Sequence, residues 1–358
     1  MAKANTYKPY KFPYNWNIAD GYPSKDIKFH GAKVFGTFVC GGGSSFGYKL
    51  AGYEHLGGVE IDPKVGEVYK LNHKPKHFYL EDIRLFNKRN DLPKELYDLD
   101  LLDGSPPCSS FSMAGNRDKD WGKEKVFREG QELQRLDDLV FEYIKTIDKL
   151  KPKVAILENV KGLIQGNAKA YTKKIFKEFT KAGYRVQLFL LNAASMGVPQ
   201  KRERVFFIGL RNDFDLPTLV LQFNEKPILF GEIDEGLNVK RKLITSNYSF
   251  KKLQNVTKTG VLQVNKKSLK GKLGAVGFGY CVLKNATPLT VTSHAIYYHS
   301  KKHFITSKEL CKIGSYAIDY DFLKLDHFYL IGMSVPPIMT AQISHQIYLQ
   351  WLKKIKYE

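Results

Sequence analysis

A chain of 358 residues with a net charge of +20 can bury a substantial core across two domains, and its charge points to a polyanionic partner, nucleic acid ahead of membrane. No apolar run approaches the roughly 18 residues of a membrane-spanning helix, and the polar, Lys-rich opening MAKANTYKPYKFPYNWN lacks an export-type apolar core, so neither span nor secretion is expected. Cys40, Cys108, Cys281 and Cys311 are scattered with no CxxC pair, which argues against zinc and disulfides and fits a reducing cytoplasm.

Residues 33–212 read as repeated strand–helix units. Strands are expected at 34–40, 56–61, 99–103, 154–157, 186–191 and 204–210, with helices at 64–71, 133–150 and 168–182. That alternation predicts an α/β fold, a doubly wound sheet with helices on both faces. The stretch 192–203 is too short for a crossover helix, so the last two strands should be antiparallel and the sheet mixed. Beyond Asn212 the pattern changes to a smaller, irregular β-rich region reaching about Asp326. Within it, residues 236–272 carry ten basic residues and no acid, Lys251, Lys252, Lys266 and Lys267 among them. Phosphate contact is the better reading of so one-sided a block. After Pro336–Pro337 the chain returns to an amphipathic helix, expected to pack back onto the first domain.

The chemistry gathers at strand ends. "VFGTFVCGGGSSFG" closes the first strand, and Gly41 to Gly43 let the backbone turn tightly and approach a ligand at a helix N-terminus. Gly41-x-Gly43-x-x-x-Gly47 misses the dinucleotide spacing by one residue, which disfavours a nicotinamide site. Glu60, ending the next strand, suits two ribose hydroxyls, and Asp82, at a further strand end, suits an exocyclic amine. Together they support an adenosine-containing cofactor at the carboxyl edge of the sheet.

"LLDGSPPCSSFS" places Cys108 behind two prolines on a stiff loop, where it is either an aimed nucleophile or a small buried hydrophobe. "AILENV" ends in Glu158 and Asn159; a carboxyl there is either a proton donor with raised pKa or a helix N-cap. "PQKRER" spaces Gln200, Arg202 and Arg204 at period two, which predicts one shared strand face aimed into a cleft.

The ordered set "FVCGGG", "VEIDP", "GSPPCSSFS", "LENV" and "PQKRER" resembles the cytosine-C5 methyltransferases of the bacterial DNA-modifying kind, over roughly residues 33–212. "PLTVTSH" is similar to the Thr-containing segment of that family's target-recognition region and puts Thr290 near DNA; "FYLIGMSVPP" resembles its last motif, with Met333 where the family carries Asn. The resemblance implies the S-adenosylmethionine-dependent methyltransferase fold, a catalytic domain of residues 1–212 and 327–358, and a target-recognition domain of residues 213–326.

It further implies transfer of a methyl group from S-adenosylmethionine to C5 of a flipped cytosine through a Cys108–C6 adduct. Glu158 would serve the ring N3, Arg204 with Arg202 the O2, and residues 109–122 a closing lid. Phe38, Gly41, Gly43, Glu60, Ile61, Asp82, Ile83, Pro107, Leu139 and Ser334 would line the cofactor site, with Ile61 and Ile83 enclosing the adenine. Gln200, Lys251, Lys252, Lys266, Lys267 and Thr290 would face double-stranded DNA. A monomer is expected, with a cognate restriction endonuclease as partner in restriction–modification members. A tRNA cytosine methyltransferase of the same fold, and an inactive DNA-binding homologue, are the alternatives.

Overall fold

The structure, a computed structural model, describes residues 7–22, 27–107, 138–165, 168–236, 238–244, 279–293, 296–299 and 303–355. At its centre is a seven-stranded sheet in the order β3-β2-β1-β4-β5-β7-β6. The strands are β1 (Lys33–Thr37), β2 (Glu54–Glu60), β3 (His77–Leu80), β4 (Leu101–Gly104), β5 (Val154–Val160), β6 (Tyr184–Asn192) and β7 (Glu203–Arg211). β1 to β5 are parallel, and β7 runs antiparallel between β5 and β6, so the expected mixed sheet is present. β3, absent from the expected strands, is an edge strand with no buried residue.

Alternation along the strands sorts side chains onto two faces. Val34, Leu101, Val154, Ile156, Phe206 and Ile208 join one core cluster; Phe35, Leu102, Ala155, Leu157, Val205 and Phe207 join the other. The first face is covered by α1 (Gly43–Leu50), the second by α3 (Ile83–Lys88), α4 (Leu139–Leu150) and α5 (Lys169–Lys181). α2 (Pro63–His73) starts where local chemistry dictates: Asp62 caps it by accepting from Lys64 N and Val65 N, and Pro63 presets the first turn.

After β7 the expectation of a β-rich region is corrected for the described residues. They hold one parallel pair of three-residue strands, β8 (Gly279–Cys281) and β9 (Ile296–Tyr298), with short α6 (Phe230–Ile233) and α7 (Ser307–Gly314). Val282, Val291, Tyr297, Leu310 and Ile313 instead join the cluster on the α1 face, so this stretch is built against the central sheet.

α8 (His327–Met333) and α9 (Pro337–Ile347) close the chain onto α1. An amphipathic α9 is expected from the sequence, yet every residue from Pro337 to His345 is buried. Its outer side is covered from elsewhere: the Phe12 ring meets His345 edge-on, and the Gln342 amide donates to Glu225 and to the Met196 carbonyl. Among the described residues no helix is long and apolar enough to cross a membrane.

Candidate active site

The connections after β1 and β4 diverge to opposite sides of the sheet, and a crevice opens outside the carboxyl ends of parallel strands at such a switch point. Phe38 and Cys40, beyond β1, are held at φ of 56° and 48°, a left-handed conformation that ordinary residues adopt only when their surroundings impose it. Cys40 is held by Glu60, whose carboxylate accepts from the main-chain N–H of Cys40, Ile61 and Asp62 at 2.8–3.0 Å. Beyond β4, Asn159 Nδ2 donates to the Pro106 carbonyl at 3.2 Å, which anchors the loop two residues before Cys108. Cys108 itself and the expected lid at 109–122 lie outside the described residues.

β7 starts at the edge where β5 ends because the two run in opposite directions, and this brings Arg204 to Glu158. Arg204 Nε lies 3.0 Å from Glu158 Oε1, and the side chains are 15% and 11% exposed. Burial pushes the Glu158 carboxyl above the ordinary carboxylate range, while the guanidinium charges of Arg204 and Arg202 pull it partly back. The pair can hold a proton at a defined place in a site of low dielectric.

The shared face predicted for Gln200, Arg202 and Arg204 is corrected, because the strand begins only at Glu203. Arg202, 2% exposed, turns inward and donates to the carbonyls of Val291, Gly332 and Ser334 at 2.8–3.0 Å. Gln200, 1% exposed, donates to the Ile313 carbonyl and accepts from Val291 N. Val291 is thus gripped at both its N–H and its carbonyl, and these two side chains join separate segments instead of facing a cleft. Burial lowers the Arg202 pKa to about 9, yet no carboxylate pairs with it among the described residues.

The cofactor candidates divide. Phe38, Glu60, Ile61, Asp82 and Pro107 are half-buried at the carboxyl edge. The main chain takes three of the roughly four acceptor positions of Glu60, which fixes its carboxylate and leaves capacity for a ribose hydroxyl. Asp82 caps α3 through Arg84 N and pairs with the Arg84 guanidinium at 3.0 Å. Two carboxylates at neighbouring strand ends, with Ile61 beside the first, form a donor set that fits an adenosine-bearing group.

Ile83 and Leu139, at 4% and 5% exposure, instead belong to the core cluster under α3 and α4. Ser334 Oγ turns inward to the Leu330 carbonyl. The two glycines are packed closely on their Cα side. A Cβ on Gly41 would lie 2.0 Å from Leu330 Cδ2, and one on Gly43 would lie 2.2 Å from the Val335 carbonyl, so their bare faces admit the chain's own C-terminal segment.

Of the DNA-facing candidates, Lys251, Lys252, Lys266 and Lys267 lie outside the described residues. Thr290 is half-buried, its hydroxyl donating to the Lys201 carbonyl, and Lys201 N donates to the Pro288 carbonyl. Arg241, one of the ten basic residues, is not free for phosphate. Its guanidinium, 3% exposed, binds Glu309 in bidentate fashion at 2.5 and 2.6 Å and Asp234 at 3.1 Å. Lys240 and Lys242 are exposed.

Two further side chains shape the site with little signal in the sequence. Asp103, at the end of β4, is 7% exposed and bonded by the Tyr48 hydroxyl at 2.9 Å. Its one mark is an acid inside the apolar strand Leu101–Gly104. Asn159 is visible as a strand-end residue, but its bond to Pro106 depends on the neighbouring strand.

A seven-stranded sheet of this order, with an antiparallel β7 and a site at its switch point, defines a methyltransferase-type fold. The chain belongs to the C-5 cytosine-specific DNA methylase family, whose model matches residues 33–349. It is similar to the type II methyltransferase M.DdeI of Desulfomicrobium norvegicum, 34% identical over 191 residues that cover 52% of this chain and 43% of that one. For M.FnuDI of Fusobacterium nucleatum the identity is 36%, covering 51% and 48%; the chain spans about half the length of these relatives. The match to M1.HphI of Haemophilus parahaemolyticus is longer, 27% identical over 87% of this chain and 85% of that one. In fold it resembles a putative DNA modification methyltransferase encoded in an E. coli prophage, with a TM-score of 0.64 at 20% identity over 89% and 99% of the two chains. It likewise resembles the DNMT2 of Spodoptera frugiperda, with a TM-score of 0.62 at 17% identity over 88% and 99%.

Proposed function

We propose that this chain methylates C5 of cytosine in a specific duplex DNA sequence, using S-adenosylmethionine, as a modification enzyme of the restriction–modification kind acting in the cytoplasm. The observation that carries this reading is the buried Glu158–Arg204 pair beside the anchored Pro106–Pro107 lead into Cys108. Residues 1–212 with 327–358 would form the catalytic domain and residues 213–326 the target-recognition domain, with a cognate restriction endonuclease as the implied partner.

C5 of cytosine is a weak nucleophile because attack from it breaks ring conjugation. The Cys108 thiolate forms a bond to C6, and Glu158 gives its proton to N3, so no anion builds on the ring and C5 becomes enamine-like. Arg204 holds O2 by a charge-assisted hydrogen bond. S-adenosylmethionine, when bound, supplies the electrophilic methyl group. Loss of the C5 proton to water and of sulfur from C6 restores the ring, and Glu158 recovers its proton.

The base must leave the duplex for this, since C6 is covered within the stack. Phe38, Glu60, Ile61, Asp82 and Pro107 would hold the cofactor, with Gly41, Gly43, Ile83, Leu139 and Ser334 shaping the site from behind. Arg202 and Gln200 act as positioning residues. Thr290 and the lysines of residues 236–272 would meet DNA.

The test is methylome sequencing of a methylation-free host expressing the protein, with an assay on tRNA alongside. One recurrent methylated DNA sequence, absent with Cys108→Ser, is the expected result. Methyl transfer to tRNA alone would replace duplex DNA as substrate, and marks that persist in Cys108→Ser would remove the nucleophile.

A further inference from the structure

Arg241 takes no part in the chemistry above, yet its guanidinium ties together stretches that are far apart in the chain. It binds Glu309 of α7 with both terminal nitrogens, Asp234 at the end of α6 at 3.1 Å and the Gly236 carbonyl at 3.0 Å. Each Glu309 oxygen accepts one bond from Arg241 and one from a main-chain N–H, that of Glu235 or Thr306. His299 Nε2, just beyond β9, lies 3.0 Å from the Asp234 oxygen that Arg241 binds. These four side chains are at most 6% exposed.

The network stands where the lysine block leaves and rejoins the rest of the chain. Lys251, Lys252, Lys266 and Lys267 fall between Ile244 and Gly279 in sequence. Ile244 and Cys281, on the two sides of that segment, pack in one small cluster with Tyr298 and Phe304. Phe304 N donates to the Lys242 carbonyl, next to Arg241, and Val282 N donates to the Tyr298 carbonyl, next to His299. Two connections carry this base to the catalytic pair. Glu309 lies in the first turn of α7, and the Ile313 carbonyl near its end accepts from Gln200, four residues before Arg204. From α6, Phe230 N and Gly231 N donate to the Ala286 and Lys284 carbonyls, shortly before Thr290.

We propose that Arg241 is a positioning residue for target choice: its guanidinium, held between Asp234 and Glu309, fixes both ends of the lysine-bearing segment in one place relative to the Glu158–Arg204 pair. A buried ion pair adds little net stability, because desolvation offsets its attraction. It does restrict the arrangements open to the chain, since any other leaves a charge buried alone. A displacement of about 1 Å far from the chemistry can cost about a hundredfold in rate, so a matched sequence gains most from a fixed base. With the base loosened, matched DNA loses that advantage over mismatched DNA. This role presupposes that residues 213–326 read the DNA target.

The experiment sequences the methylome of a methylation-free host after brief expression of wild type, Arg241→Lys, or Arg241→Met combined with Glu309→Gln. Lysine keeps the charge but loses the planar fork that serves both carboxylates. The ratio of methylation at cognate sites to that at sites with one mismatched base pair should fall by about tenfold, the scale on which one mismatch is discriminated. Both marks are laid down by the same folded molecules, so a smaller folded fraction lowers them alike and leaves the ratio unmoved. The double variant removes both charges of the pair and keeps an acceptor for Thr306 N and Glu235 N. It decides the matter if Arg241→Lys does not fold. Affinity of the purified variants for S-adenosylmethionine should match wild type. A wild-type ratio in the variants, however far total activity drops, overturns the role of Arg241, as does a loss of cofactor affinity that accounts for the lost activity. Absence of any recurrent methylated sequence with wild type instead removes the reading of DNA beneath it.

Discussion

Glu158 and Arg204 meet at 3.0 Å from strands that run in opposite directions, so their contact exists only because β7 enters the sheet antiparallel to β5. Glu158→Gln keeps the hydrogen-bonding shape and loses the proton. Covalent addition under single turnover should slow by roughly a hundredfold, the scale of general acid–base catalysis. A near wild-type rate would return Glu158 to a structural role.

Arg202 holds three main-chain carbonyls from two segments with one planar fork. Lysine is a point donor and cannot reach all three. Arg202→Lys should therefore lose about 2–4 kcal/mol, since each unpaired buried acceptor costs about 1–3 kcal/mol. Urea denaturation measures this, and a midpoint equal to wild type would mean the carbonyls find other partners.

Gly42 combines φ of 77° with a Cβ position 1.9 Å from His73 Nε2. Gly183, at φ of 94° with nothing within 4 Å, carries the backbone cost alone. Gly183→Ala should cost about 1 kcal/mol and Gly42→Ala clearly more. Adding His73→Ala to Gly42→Ala should cost less than the sum of the two single changes, because the steric part is shared. Strict additivity would show that no such clash exists.

Asp103 gives stability a definite pH dependence. Its carboxyl holds a proton to about 7 in the folded chain against 3.8 as the ordinary value. Between those values the unfolded chain releases the proton first, so stability falls as pH rises through the window. Asp103→Asn escapes this. It should be no more stable than wild type near pH 4 and gain on it up to pH 7, as read by denaturant midpoints at several pH values. A constant difference across that range would contradict the raised value.

Neutralising Lys251, Lys252, Lys266 and Lys267 together should weaken duplex binding broadly. The dependence of log affinity on log salt should flatten by roughly 0.9 for each phosphate that no lysine neutralises any longer. Changing Thr290 should alter target choice more than that slope, and cofactor affinity should not move in either variant. Binding to cognate and scrambled duplexes across a salt series checks both. An unchanged slope would place these lysines in solvent.

Which residues stand at the carboxyl edge follows from the order of amino acids alone. A parallel strand's end is local information, and the acids, glycines and prolines that follow 33–37, 54–60, 101–104 and 154–160 are legible as punctuation after apolar runs. The antiparallel turn of the last two strands is legible too, because a short linker cannot cross a sheet. Which polar groups face the crevice depends on tertiary packing. The carbonyls that capture Arg202 lie 89 to 132 residues away, and period-two spacing says nothing about them. Likewise Glu309, 68 residues on, withdraws Arg241 from the basic block, and the Leu330 and Val335 contacts fill the space beside Gly41 and Gly43. Periodicity fixes a side chain's direction within its own element, but a buried donor must be paired, and its partner comes from whatever distant segment the packing brings within reach.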